Sequence, residues 1–131
     1  MNVLQNSYTN PEHVPISNAL QHGNIIYTVQ IPRDPVTRQA SGDGDIKEQA
    51  RRVFEQLKCV LETAGSSLAQ TLQITIYLID GADAPGMNEV YKQYFTQAPY
   101  PNRATVVVRE LLVDNCRIEI VVQAAGFAQA C

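Results

Sequence analysis

The chain has 131 residues and a formal net charge of −3 at pH 7, which predicts one domain over residues 1–131 with a sizeable core. Because no long run of like charge occurs, the sequence shows no basic footprint for a phosphate backbone, and we do not expect nucleic acid as the main partner. The N-terminus has no signal-peptide pattern and no apolar stretch reaches bilayer length, so we expect a cytoplasmic protein without a membrane segment.

The cysteine and histidine content argues against a disulfide framework and against a metal site. Cys59, Cys116 and Cys131 form no C-x-x-C pair, and their odd number suits a reducing compartment, so free thiols are expected. His13 and His22 lie in turn-like segments with no ligand at metal-binding spacing. No serine or cysteine lies in a nucleophile motif, which leaves nucleophilic catalysis without support.

The first predicted elements are two short strands, followed by a long loop and a helix. Residues 19–21 and 24–30 flank His22-Gly23, which is typical of a tight hairpin turn. Residues 32–44 contain two prolines and two glycines and are predicted to be one loop. Apolar residues at three-and-four spacing predict a helix over residues 45–64, with Gly65 as its C-terminal cap.

The second half of the chain predicts three more strands and one more helix. Residues 72–79 alternate as a strand does, residues 87–95 form a helix, and residues 103–111 and 116–125 are expected to form an antiparallel hairpin. The order ββαβαββ predicts an α+β two-layer sandwich with both helices on one face of a mixed sheet. The residues expected under the helices include Ile74, Ile76, Val106, Val108, Ile118 and Ile120.

The second sheet face has a mixed character that favours burial against another subunit. Alternation assigns to it Gln73, Thr75, Tyr77, Arg103, Thr105, Val107, Arg109, Arg117, Glu119, Val121 and Gln123. Apolar residues mixed with arginines and hydroxyls, uncovered by any helix, are typical of an interface with a wet cleft at its seam. We therefore expect a homo-oligomer whose sites lie between subunits.

Two polar groups are candidates for binding a small anion. Arg103 and Thr105 share a face, and an arginine fork beside a hydroxyl suits a carboxylate. From spacing alone, a salt bridge between Arg103 and Glu119 on a neighbouring strand is the favoured alternative. Asn88, near the start of the second predicted helix, is either a ligand donor or, more often at such a place, a cap.

Four segments of the chain occur in a distinctive order and spacing. They are Gln30-Ile31-Pro32-x-Asp34-Pro35-x-Thr37, Asn88-x-x-Tyr91-x-x-Tyr94-Phe95, Tyr100-Pro101-Asn102-Arg103-Ala104-Thr105-Val106 and Ile118-Glu119-Ile120. Taken together, these segments resemble the Rid family of reactive intermediate deaminases, formerly called the YjgF family and also the L-PSP endoribonuclease family. The similarity extends from about residue 15 to residue 125, and its most specific part is the Pro-x-Arg segment.

The resemblance implies a chorismate-mutase-like fold, a homotrimer with three clefts between subunits, and no cofactor. It also implies hydrolysis of reactive enamines and imines, such as 2-aminoacrylate, to 2-keto acids and ammonia. By the same resemblance, Arg103 matches the arginine that binds the substrate carboxylate, and Asn88 matches a cleft asparagine. Thr105 stands where many members have a cysteine, and the backbone around Val29 and Ile31 matches a segment that helps to hold the ligand.

Two positions depart from the family pattern. Val121 stands where the best-studied deaminases have a glutamate that positions water, and Ile16 stands where they have a tyrosine. Losing a general base typically lowers a rate by a factor of roughly 100 to 10,000. Glu119 has the same strand parity as Val121 and either orients water or, as we favour, pairs with Arg103.

Two functional hypotheses remain open at this stage. The first is an imine and enamine deaminase-like hydrolase in which Arg103 anchors the substrate carboxylate. The second is a non-catalytic or regulatory protein that binds a small carboxylate, because Val121 and Ile16 give the cleft apolar walls. The same apolar residues favour a ligand bulkier than 2-aminoacrylate. RNA cleavage is disfavoured by the acidic charge balance.

Overall fold

The structure is a computed structural model that describes residues 1–127, so Cys131 lies outside the described residues. Within them the chain forms six strands and two α helices, and the predicted order ββαβαββ follows one additional short strand at the N-terminus. The elements are β1 (Asn2–Val3), β2 (Ala19–His22), β3 (Ile25–Gln30), α1 (Ile46–Thr63), β4 (Thr71–Leu78), α2 (Ala84–Tyr94), β5 (Asn102–Val107) and β6 (Ile118–Ala125).

All six strands belong to one mixed sheet with the order β1-β2-β3-β6-β4-β5. The pair β4 and β5 is parallel, and the other neighbouring pairs are antiparallel. The predicted hairpin of β2 and β3 is confirmed, and its turn consists of Gly23, at φ 60°, and Asn24. Glycine adopts this left-handed conformation without the steric cost that a side chain would add.

The predicted hairpin of the last two strands is wrong. β6 lies between β3 and β4, while β5 lies at the sheet edge and pairs with β4. The alternate residues of β6 are fully buried, whereas all six residues of β5 are exposed. A strand with a continuous buried side gains more from a central position, and the connection over residues 108–117 is long enough to pass the end of β4.

The ends of α1 follow local signals that the sequence contains. Asp45 caps the helix, because its side-chain oxygen accepts a hydrogen bond of 2.9 Å from the Glu48 N–H. At the other end, the N–H of Ser66 donates to the Leu61 carbonyl at 2.8 Å and Gly65 lies at φ 83°. This is the Schellman arrangement that a glycine after the last turn favours, so the predicted cap is confirmed.

The core lies between the two helices and one face of the sheet, which confirms the α+β two-layer sandwich with both helices on one side. Phe54 is at its centre, with ring centroids 5.8 to 5.9 Å from those of Tyr91, Tyr94 and Phe95. The fully buried aliphatic residues around it include Ile26, Leu57, Leu61, Ile74, Ile76, Leu78, Ile118 and Ile120.

The predicted facing of β5 is reversed. Its register pairs Arg103 with Ile74 and Thr105 with Ile76, and both isoleucines point at the helices, so Arg103 and Thr105 share the helix side. Val106 pairs with Tyr77 and therefore lies on the opposite face, which is hereafter the open face. The run Val106-Val107-Val108 has no alternation, so only the register with β4 decides its facing.

The open face carries a mixture of apolar and polar side chains, as the sequence predicted for β4 and β6. Its members are Tyr27, Val29, Gln73, Thr75, Tyr77, Val106, Glu119, Val121 and Gln123. Arg109 and Arg117, which were also assigned to it, lie outside the strands, and Arg117 pairs instead with Asp83 at 2.7 Å.

Candidate functional site

A cleft of about 730 Å³ lies on the helix side of the sheet edge, between α2 and β5. Prolines at positions 99 and 101 shape the connection that leads from α2 back into β5. The lining residues include two cations and no carboxylate. They are Asn88, Tyr91, Lys92, Phe95, Thr96, Tyr100 and Arg103, and together they define the Arg103 cleft.

Arg103 is held against an aromatic ring. Its Cζ lies 4.6 Å from the centroid of the Tyr91 ring, and Tyr91 stacks in turn on Phe95 with centroids 4.5 Å apart. Burial raises the pKa of Tyr91, and the charge of Arg103 partly opposes that rise. Among residues 1–127, no carboxylate lies within ion-pair distance of Arg103. Its N–H groups are therefore available to a ligand.

Asn88 adds a hydrogen-bond acceptor to this cleft. It lies in the second turn of α2, which begins at Ala84 rather than at residue 87, so it does not cap the helix. Its Oδ1 atom is buried and has no hydrogen-bond donor among the described residues. Because a buried acceptor without a donor is unfavourable, this oxygen is suited to a ligand that carries an N–H or O–H group. Thr105 lies two residues beyond Arg103 on the same side of β5.

A second group of predicted site residues lies on the open face. Val121 is paired with Val29 on one side and Thr75 on the other, and its side chain is 36% exposed. Ile16 precedes β2 and is 65% exposed. Val29 and Val121 are on the opposite side of the sheet from Arg103, so one chain does not bring them together with it.

Glu119 is not a neighbour of Arg103, and the predicted salt bridge between them is wrong. Glu119 pairs with Tyr77 of β4 on the open face, and β4 separates β6 from β5. The prediction failed because it placed β5 beside β6. Burial raises the pKa of the Glu119 carboxyl above its ordinary value.

The segment around Ile31 is fixed by a residue that sequence reasoning missed. Gln56 of α1 is buried, and its Nε2 donates to the Ile31 carbonyl at 2.7 Å. Its Oε1 accepts from the Arg33 N–H at 2.9 Å. The available signal was a pair of glutamines seven residues apart, Gln49 and Gln56, inside the apolar stripe of the helix. A polar residue at such a buried position is retained when it satisfies backbone groups.

The described part of the chain contains neither a metal-binding cluster nor a membrane-spanning helix. Within residues 1–127 there is no group of three or more His, Cys, Asp or Glu side chains placed to hold a metal ion. Neither helix there has the length and apolar character needed to cross a membrane. Cys59 and Cys116 are free thiols, as expected.

The fold and the Arg103 cleft define an α+β protein with a positively charged cleft at the sheet edge. The family model described as Endoribonuclease L-PSP matches residues 9–126, and the chain belongs to this family. That membership confirms the resemblance to the Rid family, from which the expected fold and site residues were inferred.

Three similar proteins place the chain within the family. A RutC family protein of Pyrococcus abyssi is 46% identical over 101 residues, which cover 76% of this chain and 78% of that protein. A 2-iminobutanoate/2-iminopropanoate deaminase of Dermatophagoides farinae is 36% identical over 107 residues, or 81% of each chain. The crystal structure of Escherichia coli TdcF with bound serine matches with a TM-score of 0.83 and 30% identity, covering 95% of this chain and 98% of that one.

Proposed function

We propose that this protein hydrolyses small 2-imino or 2-enamino carboxylates to 2-keto acids and ammonia, with Arg103 holding the substrate carboxylate. The unpaired guanidinium above Tyr91, in a cleft that contains Lys92 and no acid, carries this proposal. An arginine fork binds both oxygens of a carboxylate in parallel. The Dermatophagoides farinae relative is named for two substrates of this class, and the Escherichia coli relative binds serine, a small carboxylate.

The remaining polar groups have compatible roles in this chemistry. The Oδ1 of Asn88 accepts a hydrogen bond from the substrate nitrogen, while the Thr105 hydroxyl donates to a carboxylate oxygen. An enamine first tautomerises to the imine. Water then adds a hydroxyl group to the C=N carbon and a proton to the nitrogen. The hydroxyl proton moves to the nitrogen as the C–N bond breaks, so that the C=O group of the keto acid forms and ammonia leaves. An imine is already electrophilic, so this addition needs less help from a general base than amide hydrolysis does.

The candidate residues lie on both faces of the sheet. This placement supports assembly as the homotrimer that the family resemblance implies. Val29 and Val121 on the open face can approach an Arg103 cleft only when that cleft belongs to another copy of the chain. The open face also exposes Tyr27 and Val106, and apolar surface of this kind favours association. In sedimentation velocity at micromolar concentration, we expect a species of three times the 14.5 kDa chain mass. A stable 14.5 kDa species would contradict the assembly.

The activity is tested by keto-acid release from 2-imino acids generated in the assay, using small and bulky side chains. We expect Arg103→Ala to abolish release and Arg103→Lys to retain a small part, because lysine keeps the charge without the fork. Arg109→Ala is the matched control, since Arg109 lies outside the cleft. Absence of turnover by the wild type with every imine would refute the proposal.

One observation favours a second candidate, a non-catalytic carboxylate-binding protein. The position between Val29 and Thr75 on the open face holds Val121, which has no group to activate water. Glu119 is two residues away on the same face, about 7 Å along the strand. If 2-keto acids raise the melting temperature while no imine is hydrolysed, binding is the function. Unchanged hydrolysis in Glu119→Gln would exclude Glu119 as the group that orients water.

A further inference from the structure

Four arginines converge on a second cavity, which shares no lining residue with the Arg103 cleft. This arginine cavity has a volume of about 330 Å³ and lies between the loop after β3 and the outer side of α1. Arg33, Arg38, Arg51 and Arg52 line it against a single acid, Glu55. No long run of like charge marks this place in the sequence, because the two arginines of the loop and the two of α1 come together only in the folded chain.

The loop that contributes two of these arginines is held in a defined shape. Arg33 forms an isolated β-bridge with Ala40. The Asp34 side chain accepts hydrogen bonds of 2.8 and 2.9 Å from two successive backbone N–H groups of the loop. Arg38 adopts φ 65°, a left-handed conformation that is uncommon for a residue with a side chain. Conformations of this kind persist where the surroundings impose them, and they cluster at ligand sites.

The guanidinium groups are positioned, yet most lack an anionic partner. The Nη1 of Arg33 donates to the Arg38 carbonyl at 3.0 Å, while its buried Nε has no acceptor. Arg38 lies over the Tyr8 ring at 4.9 Å and donates to the Tyr8 hydroxyl at 3.1 Å. Burial lowers the pKa of Arg33, which reflects the cost of keeping this charge away from water.

Only one of the four arginines is neutralised nearby. Arg52 pairs with Glu48 at 3.2 Å, whereas among residues 1–127 no carboxylate lies within ion-pair distance of Arg33, Arg38 or Arg51. Even with Glu55 counted, an excess of positive charge remains in the cavity. A planar carboxylate offers two oxygens in one plane, whereas a phosphate monoester offers three terminal oxygens and close to two negative charges to donors on several sides.

We propose that the arginine cavity binds a small phosphate monoester, with the phosphate group held by Arg33, Arg38 and Arg51. The organic part of the ligand lies against the rings of Tyr8 and Tyr94, which form the aromatic walls. The volume is at the lower end of the range for small-molecule sites, so the ligand is a compact metabolite. This site is independent of the function proposed for the Arg103 cleft.

The test is isothermal titration of the full-length protein at low ionic strength with phenyl phosphate, inorganic phosphate and benzenesulfonate. We expect phenyl phosphate to bind most tightly and benzenesulfonate, a monoanion of similar shape, to bind at least about tenfold more weakly. Arg38→Gln and Arg51→Gln, both at exposed positions, should each lower phenyl phosphate affinity about tenfold. Circular dichroism verifies that each variant is folded, and Arg38→Lys is a second substitution that keeps the charge.

Two control variants separate this site from general charge effects and from the Arg103 cleft. Lys58→Gln removes one positive charge from α1 outside the cavity and should leave the affinity unchanged. Arg103→Ala should also leave it unchanged while abolishing the binding of 2-keto acids. The proposal is overturned if no phosphate compound binds at millimolar concentration, if Lys58→Gln weakens binding as much as Arg51→Gln does, or if Arg103→Ala removes it.

Discussion

The guanidinium of Arg103 lies over the ring of Tyr91, with Cζ 4.6 Å from the ring centroid. The two residues come from different layers, β5 in the sheet and α2 above it. The contact therefore joins the sheet edge to the helix and holds a positive charge at the cleft, and no carboxylate among residues 1–127 neutralises it. An arginine held in this way loses less conformational freedom when a ligand binds.

The first prediction concerns this aromatic contact. Replacing Tyr91 with leucine removes the ring face, and a cation–π contact contributes about 0.5 to 2 kcal/mol depending on its exposure. We expect the dissociation constant of a 2-keto acid, measured by titration calorimetry, to rise by roughly 2- to 30-fold. Tyr91→Phe keeps the ring and should remain close to the wild type. Equal weakening in both variants would show that the hydroxyl, rather than the ring, is responsible.

The second prediction concerns Gln56. Its substitution by leucine leaves the Arg33 N–H and the Ile31 carbonyl without their partners inside the protein. Each buried polar group left unpaired costs about 1 to 3 kcal/mol, so we expect the free energy of unfolding to fall by about 2 to 6 kcal/mol in urea denaturation. Gln93→Leu, at an exposed position of α2, is the control and should change it little. A loss below 1 kcal/mol in Gln56→Leu would contradict this role.

The third prediction is a pH dependence at Glu119. Burial raises the pKa of this carboxyl from its ordinary value of 4.5, so the folded state binds its proton more tightly than the unfolded state does. The resulting stabilisation is complete below pH 4.5 and is lost as the pH rises through the folded-state pKa. Glu119→Gln removes the buried charge and should therefore melt at a higher temperature than the wild type at pH 7.

The same difference should vanish near pH 3.5, where the wild-type carboxyl is protonated in both states. Thermal melts monitored by circular dichroism at the two pH values measure it, at one fixed protein concentration. Glu62→Gln, at an exposed position in the last turn of α1, is the control and should behave alike at both pH values. A difference of the same size at pH 3.5 and pH 7 would exclude burial of charge as the cause.

The fourth prediction concerns the start of α1. Asp45→Ala removes the side chain that accepts from the Glu48 N–H, and loss of such a cap costs about 1 kcal/mol. We expect a decrease of that size in the free energy of unfolding, measured by urea denaturation. Asp43→Ala is matched in charge and lies two residues earlier, outside the cap, so it should be close to neutral. If the two variants are equally stable, the cap does not contribute.

Features that depend on neighbouring residues were predicted well. The hairpin of β2 and β3, and the C-terminal end of α1, follow from a glycine turn, an apolar stripe and a glycine cap, which operate within a few residues. The order of the last strands was not predictable in this way. Whether β6 pairs with β5 or enters between β3 and β4 is decided by long-range competition for buried positions, which periodicity does not record.

The candidate site, too, was predictable from the sequence only in part. The motif around Arg103 indicated this residue as the candidate for carboxylate binding, yet the side of the sheet predicted for it was wrong, because an exposed edge strand takes its facing from the register with β4. The buried Asn88 oxygen and the contact with Tyr91 require two layers to meet, so the sequence does not show them.

By itself, the sequence determined the α+β class, most of the local elements and the family, and it indicated Arg103 as the candidate ligand-binding residue. These features depend on composition, periodicity and residue order, all of which can be read directly from the sequence. Only the tertiary structure decided that Arg103 and Val121 lie on opposite sides of the sheet and that two arginines of the loop after β3 and two of α1 line one cavity. Such proximities arise when strands compete for the centre of the sheet and a loop folds back on a helix, because both processes join residues that are distant in the chain.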